Sequence, residues 1–247
     1  VLTCAADGEL ALARSGRDGS HVVLMPADAN DTGFAMTSSF TSMLLSCLIL
    51  LGGESTAVLG RLAAAADTVL ATRVADVARL VAKDPARLVY LGSGPLRGLA
   101  HEAGLKFLEL TAGARVSFFE SALGFRHGPK AVVDERTQVV VFVSSDPYTR
   151  LYDLDIVAEL RAGIGADNVL VLAGSPVEVD GAWVLPDLDD VPDAFVAAVH
   201  ILIPQLLGAY TSAALGKHVD NPFPSGDVNR VVQGVVIHPL RVPADRA

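Results

Sequence analysis

The chain has 247 residues, of which 51% are hydrophobic, and carries a formal net charge of −9. This length is sufficient for one large or two modest domains with real hydrophobic cores. The acidic balance argues against a nucleic-acid partner, because neutralising a phosphate backbone requires clustered Lys and Arg. It does not exclude a phosphorylated small molecule, which needs only a few N–H groups and one or two cations.

The first quarter of the chain predicts two short strands and two helices. Residues 1–4 and 21–25 are apolar runs typical of the trailing edge of a parallel sheet, with a short helix at 9–14 between them. Residues 43–51 predict a buried helix whose N-cap lies within residues 37–39. This apolar stretch is too short, and too rich in flanking Ser and Thr, for a membrane span.

The rest of the chain alternates helices with strands. Alanine-rich residues 54–83 predict one long helix or two consecutive ones, and a long apolar helix at 191–215 should be kinked at Pro204. Strands are predicted at 88–91, 137–143, 169–172 and 182–185. The β-branched run 137–143 is typical of a central strand. This alternation predicts an α/β fold with a parallel sheet covered on both faces.

A strand, a small-residue turn and a helix follow each other between residues 88 and 113. Gly-Ser-Gly at 92–94 forms the turn, Pro95 lies where the helix begins, and Gly113 ends it. This geometry points backbone N–H groups and the positive end of a helix dipole at an anion. The simpler interpretation is a tight turn against the sheet.

The same turn comes within one residue of the dinucleotide-binding pattern. Gly98 follows as the third glycine, and Glu120 lies at about the right distance for a ribose contact. However, the third glycine is out of register, and Pro95 fills the loop where the backbone would approach a pyrophosphate. Nucleotide binding is therefore the last of the alternatives.

The predicted helix carries three ionisable residues on one face, Glu102, Lys106 and Glu109, at spacings of four and three. A solvated stripe with a Glu–Lys pair is the simpler interpretation. Glu109, however, lies in the last turn, where the helix dipole disfavours an ionised carboxylate. A carboxyl group in this position should therefore bind a proton more readily, which suits a general base. Shortly afterwards His127 lies between cations in a rigid Gly-Pro loop, which favours a catalytic role for this histidine.

Three segments resemble a known family: LGSGPLRGLAHEAGLKFLELTAG at 91–113, ALGFRHGPK at 122–130 and SSDPYTRLYDLD at 144–155. They resemble two-lobed sugar isomerase (SIS) proteins, and in particular the tagatose-6-phosphate ketose/aldose isomerases, also described as galactosamine-6-phosphate deaminase/isomerases. The resemblance covers essentially the whole chain. It implies two SIS-type three-layer αβα lobes with parallel sheets, the first truncated at the N-terminus.

The same resemblance implies a division of the chain. Residues 1–53 would be the C-terminal part of the first lobe, 54–85 connecting helices, 86–215 the second lobe and 216–247 a C-terminal tail. The resembled proteins have a phosphate-binding Ser/Thr loop upstream of the position matched by Val1. We therefore expect the chain to begin inside the first lobe and to be inactive alone.

The resemblance also assigns roles to residues. Catalytic roles fall to Glu109, His127, Lys106 and Lys217, and sugar contacts to Ala35, Met36 and Thr37. Aldose–ketose chemistry needs a group that titrates near neutrality to open the sugar ring, and a carboxylate that moves the proton between carbons. These would be His127 and Glu109, with the two lysines as cations near the substrate. Glu102 would be a structural partner of Lys106. For residues 37–39, simple helix capping is the competing interpretation.

The implied function is conversion of galactosamine 6-phosphate, or a related hexosamine 6-phosphate, to tagatose 6-phosphate and ammonia. No metal or organic cofactor is implied. The resemblance implies a homodimer or higher homo-oligomer with shared active sites, and neither nucleic acid nor membrane is expected as a partner. Cys4 and Cys47 have neither metal-site nor disulfide spacing, which favours a reducing cytoplasm. The alternative is a non-catalytic sugar-phosphate sensor, which would have no use for a base and an acid.

Overall fold

The structure, a computed structural model, describes residues 1–53, 55–232 and 234–239. Glu54, the first residue of the predicted connector, and Gln233 and residues 240–247 of the predicted tail lie outside the described residues. The helices are α1 (Glu9–Arg14), α2 (Ser38–Gly52), α3 (Ala57–Thr72), α4 (Val74–Ala82), α5 (Pro95–Leu110), α6 (Ala122–Arg126), α7 (Pro147–Ile164), α8 (Asp193–His200) and α9 (Leu202–Ala214). The strands are β1 (Leu2–Thr3), β2 (Val23–Leu24), β3 (Arg87–Gly92), β4 (Val116–Glu120), β5 (Thr137–Val143), β6 (Val169–Ala173) and β7 (Trp183–Val184).

The strands form two separate parallel sheets within the described ranges. β1 and β2 make a two-stranded sheet, and the other strands make a five-stranded sheet in the order β4-β3-β5-β6-β7. Val89 of β3 lies opposite Phe118 of β4 and Val139 of β5, which fixes the register of the large sheet. The prediction of β5 as the central strand is confirmed.

Alternate residues of the large sheet face two different cores. Leu88 and Tyr90 face a core made with α3, α4, α5, α8 and α9. Val89 and Leu91 face the opposite core, made with α6 and α7. Both faces are thus covered, as a parallel sheet requires, and the predicted α/β class is confirmed.

The predicted long helix at 191–215 is interrupted at Ile201, between α8 and α9. The cause is Pro204, which has no N–H for the carbonyl of His200 and whose ring would collide with that carbonyl. The combined run Asp193–Ala214 is long and apolar enough by composition to cross a membrane, but 61% of that apolar window is buried within the fold. Packing against α3, α4 and α5 accounts for its apolar surface.

The prediction that α2 is a buried helix is wrong. Among its residues Ser39 is buried, whereas Leu50 and Leu51 have exposed fractions of 56% and 83%. The helix packs against α8, β1 and the 3-10 turn Ala27–Ala29. Residues 40–49 of α2 are all partly exposed, so the described residues cover this largely apolar helix only in part.

The turn at 92–94 is tight, as the simpler interpretation predicts. A Cβ on Gly92 would collide with the carbonyl oxygen of Leu96, so only glycine allows α5 to begin so close to β3. The Ser93 hydroxyl donates a 2.6 Å hydrogen bond to the buried carboxylate of Asp153, which also accepts the N–H of Ser144. The crevice between the carboxyl ends of β3 and β5 is therefore filled by the protein's own carboxylate.

His200, the last residue of α8, is a buried histidine without a hydrogen-bond partner on either ring nitrogen among the described residues. It lines a small cavity of about 40 Å³ and contacts the ring of Phe142. Burial lowers the pKa of His200 to about 4, although the charge of Asp193 opposes the shift. The imidazole is therefore neutral in the folded protein at neutral pH.

Acid should destabilise the fold through His200. The unfolded chain binds a proton near pH 6.5 and the folded chain only near pH 4, so stability falls as pH decreases across this window. By linkage, the free energy of unfolding should decrease by about 2 kcal/mol between pH 7 and pH 5. Urea unfolding at the two pH values measures this. A His200→Leu variant should lose most of the dependence, and an equal loss in both proteins would contradict the assignment.

Candidate active site

Lys106 is a buried lysine between two carboxylates of the same helix. Only 4% of its surface is exposed. Its Nζ lies 2.5 Å from Oε2 of Glu109 and 3.6 Å from Oε1 of Glu102. The predicted three-residue face of α5 is therefore confirmed. Its simpler interpretation, a solvated stripe, is wrong because the central cation is out of water.

Glycine allows α9 to cover this part of α5. A Cβ on Gly208 of α9 would lie 2.7 Å from Cδ1 of Leu110 and 3.6 Å from the carbonyl oxygen of Lys106. On the other side, Gly104 packs near Phe119 of β4. The helix is thus enclosed between the sheet and α9. Both carboxylates that pair with the ammonium group of Lys106 belong to α5 itself.

The pKa of Glu102 is raised, first of all by burial and further by the charge of Glu109, while Lys106 opposes the shift. The resemblance implies only a structural role for Glu102. The structure shows that this carboxyl group favours its protonated form more than an ordinary glutamate does. An ammonium flanked by a carboxylate and a carboxyl group of raised pKa can donate to a developing oxyanion and can exchange protons.

The loop before α2 is organised by Asp31. Its carboxylate accepts the N–H groups of Thr37, Ser38 and Ser39 and the hydroxyls of Thr37 and Ser39, at 2.6–3.0 Å. Burial raises the pKa of Asp31, but these hydrogen bonds outweigh it and hold the pKa well below its usual range. Thr37 is the N-cap residue, as predicted, but the side chain that caps α2 comes from six residues upstream.

A cavity of about 400 Å³ adjoins this loop. It is lined by Ala35 and Thr37, two of the three predicted sugar contacts, and by Leu110, the residue after Glu109. Val219 and Asp220 of the tail form part of its wall. The fold therefore brings the predicted sugar-contact loop, the end of α5 and the tail to one cavity.

His127 lies elsewhere. It follows α6, whose Phe125 belongs to the core on the opposite face of the sheet from Phe107 of α5. The histidine is exposed, and Gly128 after it has φ 112, a conformation that favours glycine. Within one chain, the sheet thus separates His127 from the Lys106–Glu109 pair.

Lys217 follows the end of α9 and is half-buried. Gly216 turns the chain with φ 69, and the N–H of Lys217 donates to the carbonyl of Ser212. Among the described residues, no ion pair links Lys217 to Glu102 or Glu109. The structure thus brings Lys106 and Glu109 into contact and leaves Lys217 outside that contact.

The chain is similar to several known proteins. A protein of Streptomyces coelicolor, provisionally named a D-galactosamine-6-phosphate deaminase AgaS, is 52% identical over 97% of this chain and 64% of its own length. D-galactosamine-6-phosphate deaminase AgaS of Shewanella sp. is 43% identical over 97% of this chain and 60% of its own length. No family model matches.

The crystal structure of tagatose-6-phosphate ketose/aldose isomerase from Escherichia coli superimposes with a TM-score of 0.84 and 38% identity, covering 98% of this chain and 64% of that one. The chain is a homologue of this deaminase/isomerase group. The resemblance predicted from the sequence is confirmed. The chain spans about three fifths of the length of the curated relatives it matches.

Three residues of this deaminase/isomerase homologue were not singled out as site residues by sequence. Asp31 has no local motif, because it caps a helix that begins seven residues later. Glu102 was recognised only as a partner of Lys106. Gln205 of α9 lines the cavity, and its Nε2 is buried without a partner among the described residues. The signal that could have identified Gln205 is that it is a polar residue within the apolar run 201–207.

Removing the buried cation should destabilise the protein. Lys106→Met leaves two carboxylates facing each other without an ammonium, and breaking a buried ion pair in this way costs about 3 kcal/mol. In a Glu102→Gln background the loss should be smaller, because one of the two carboxylates is already gone. Urea unfolding measures both. Lys83→Met, at an exposed lysine, is the control, and equal stabilities of Lys106→Met and this control would contradict the assignment.

Proposed function

We propose that the chain is part of a galactosamine-6-phosphate deaminase that produces tagatose 6-phosphate and ammonia. The single observation that carries this proposal is the pair of buried Lys106 with Glu109, which precedes Leu110 in the wall of a cavity also lined by Ala35 and Thr37. The names of the homologues support the same reaction. Water is consumed: the amino group at C2 leaves as ammonia, and the carbonyl oxygen of the ketose comes from water.

The reaction would proceed by acid–base chemistry. His127 opens the sugar ring by proton transfer, which suits an imidazole near neutral pH. Glu109 then removes the proton from C2 and returns it to C1, and the resulting C2 imine is hydrolysed. Lys106 stabilises the negative charge that develops on the C1 oxygen, because its ammonium is held next to Glu109.

The remaining residues would bind the substrate. We propose that Ala35, Met36 and Thr37 contact the sugar and that Lys217 supplies a second cation. Ala35 and Thr37 line the cavity, as do Val219 and Asp220, which follow Lys217 by two and three residues. The hydroxyl of Thr37 is bound to Asp31, which leaves its oxygen lone pairs for the substrate.

The position of His127 supports a shared active site. Because Phe107 of α5 and Phe125 of α6 belong to cores on opposite faces of the sheet, the exposed histidine of one chain would serve a second copy rather than its own Glu109. We therefore propose a homodimer or higher homo-oligomer in which each site combines Glu109 of one chain with His127 of another.

We also propose the division into lobes given by the sequence. The separate β1–β2 sheet supports assigning residues 1–53 to a first lobe. α3 and α4, at 57–72 and 74–82, would form the connector, and the elements from β3 to α9, at 87–214, would form the second lobe. Both cysteines are free, which supports a cytoplasmic location.

The proposed reaction can be assayed directly. The two-lobed protein is this chain joined to the part of the Streptomyces coelicolor relative that lies outside its matched segment. It should release ammonia and tagatose 6-phosphate from galactosamine 6-phosphate in equal amounts, whereas this chain alone should release neither. Substrate binding with no product, in a folded two-lobed protein, would contradict the enzyme and favour a sensor.

Glu109→Gln in the two-lobed protein should lower kcat by about 100-fold or more and change KM little, because a lost proton-transfer group affects the transition state more than the ground state. Steady-state ammonia release measures both constants. Glu135→Gln, which removes an exposed carboxylate before β5, is the matched control. A fall in affinity as large as the fall in rate would show that Glu109 acts in binding rather than as the base.

A further inference from the structure

The loop that carries His127 is held by one carboxylate of α7. Glu159 accepts hydrogen bonds from Nε and Nη2 of Arg126, at 2.8 and 2.7 Å, and from Nζ of Lys130. These two cations lie one residue before and three residues after His127. A single carboxylate thus joins both sides of the loop.

The residues that flank this loop (126–131) are held in place by separate contacts. Phe125 is buried before it, and the carbonyl of Val132 after it accepts a hydrogen bond from Arg87. Between them, the backbone hydrogen bonds of the described residues are local, such as the N–H of His127 to the carbonyl of Gly124 and that of Ala131 to Gly128. Among the hydrogen bonds of the described residues, those to Glu159 are the ones that connect residues 126–131 to α7.

Glu159 itself is firmly placed. Its neighbours Ile156, Val157 and Leu160 are buried in the core formed by α6, α7 and the sheet. The carboxylate therefore connects the loop to α7, a helix packed in the core, whereas His127 itself is exposed. Hydrogen bonds from Lys130 and Arg126 lower the pKa of Glu159, so it remains ionised around neutral pH.

We propose that Glu159 is a positioning residue that fixes the direction in which His127 is presented to the active site. This inference rests on the proposed function, in which His127 opens the sugar ring. Glu159 does not touch the substrate and acts through the loop. The three side chains are each about a third or more exposed, and such pairs contribute little to global stability. Loss of Glu159 should therefore affect the loop and catalysis much more than the melting temperature.

The first test measures the loop in this chain, without any assay of activity. Glu159→Gln keeps the shape of the side chain but removes its charge, so it cannot hold both cations. Amide hydrogen exchange of His127 and Ala131 should become several-fold faster, while exchange in β5 stays unchanged. Asp155→Asn, an exposed carboxylate on the same helix, is the matched control and should leave the loop amides unchanged.

The second test measures catalysis in the two-lobed protein. Glu159→Gln should lower kcat by about tenfold with KM within about twofold, whereas Asp155→Asn should change neither. In a His127→Ala background, Glu159→Gln should have no further effect, because a residue that acts only through His127 is silent without it.

The outcomes separate the two proposals. Unchanged exchange in Glu159→Gln would overturn the positioning role, and so would a kcat loss that persists in the His127→Ala background. An inactive parent protein would overturn the proposed function and with it the catalytic part of this inference. In that case, the exchange measurement would still decide whether Glu159 holds the loop.

Discussion

The coverage of the large sheet on both faces is the constraint on which the rest of the structure depends. A parallel sheet exposes apolar side chains on each side, so its connecting helices must divide between the two faces. α5 joins β3 to β4 on one face, and α6 follows β4 on the other. Glu109, the proposed base, and His127 are close in sequence, yet this division places the sheet between the helices that carry them. Because His127 is also exposed, the arrangement supports a site completed by a second chain.

Burial of Lys106 is the second determining feature. A lysine out of water is costly unless it is paired, and here both partners come from its own helix at three and four residues' distance. α9 packs closely on this turn at Gly208, and the lysine is 4% exposed. Burial also raises the pKa of Glu102. The chemistry of the proposed site is thus a consequence of how two helices pack, with Asp31 fixing the neighbouring loop by hydrogen bonds.

Much of the fold could be predicted because its causes are local. The β-branched run 137–143 became the central strand, and Pro204 interrupted the apolar helix because of its own chemistry. The burial of α2 could not be predicted, since it depends on which elements cover an apolar helix. Nor could the cap of α2, whose carboxylate comes from Asp31 in a preceding loop. The face shared by Glu102, Lys106 and Glu109 follows from helical spacing, but its removal from water depends on α9, more than 90 residues later.

A complementation experiment tests the shared site most directly. Glu109→Gln and His127→Ala forms of the two-lobed protein are each expected to keep only a small residual activity, about 1% of wild type, and mixing them allows subunits to exchange. If a site combines Glu109 of one chain with His127 of another, each mixed dimer has one intact site. With random pairing, half the dimers are mixed, so activity should recover to about a quarter of wild type. Activity that stays near zero after mass spectrometry has confirmed exchange would show that His127 serves its own chain, and the shared site would be wrong.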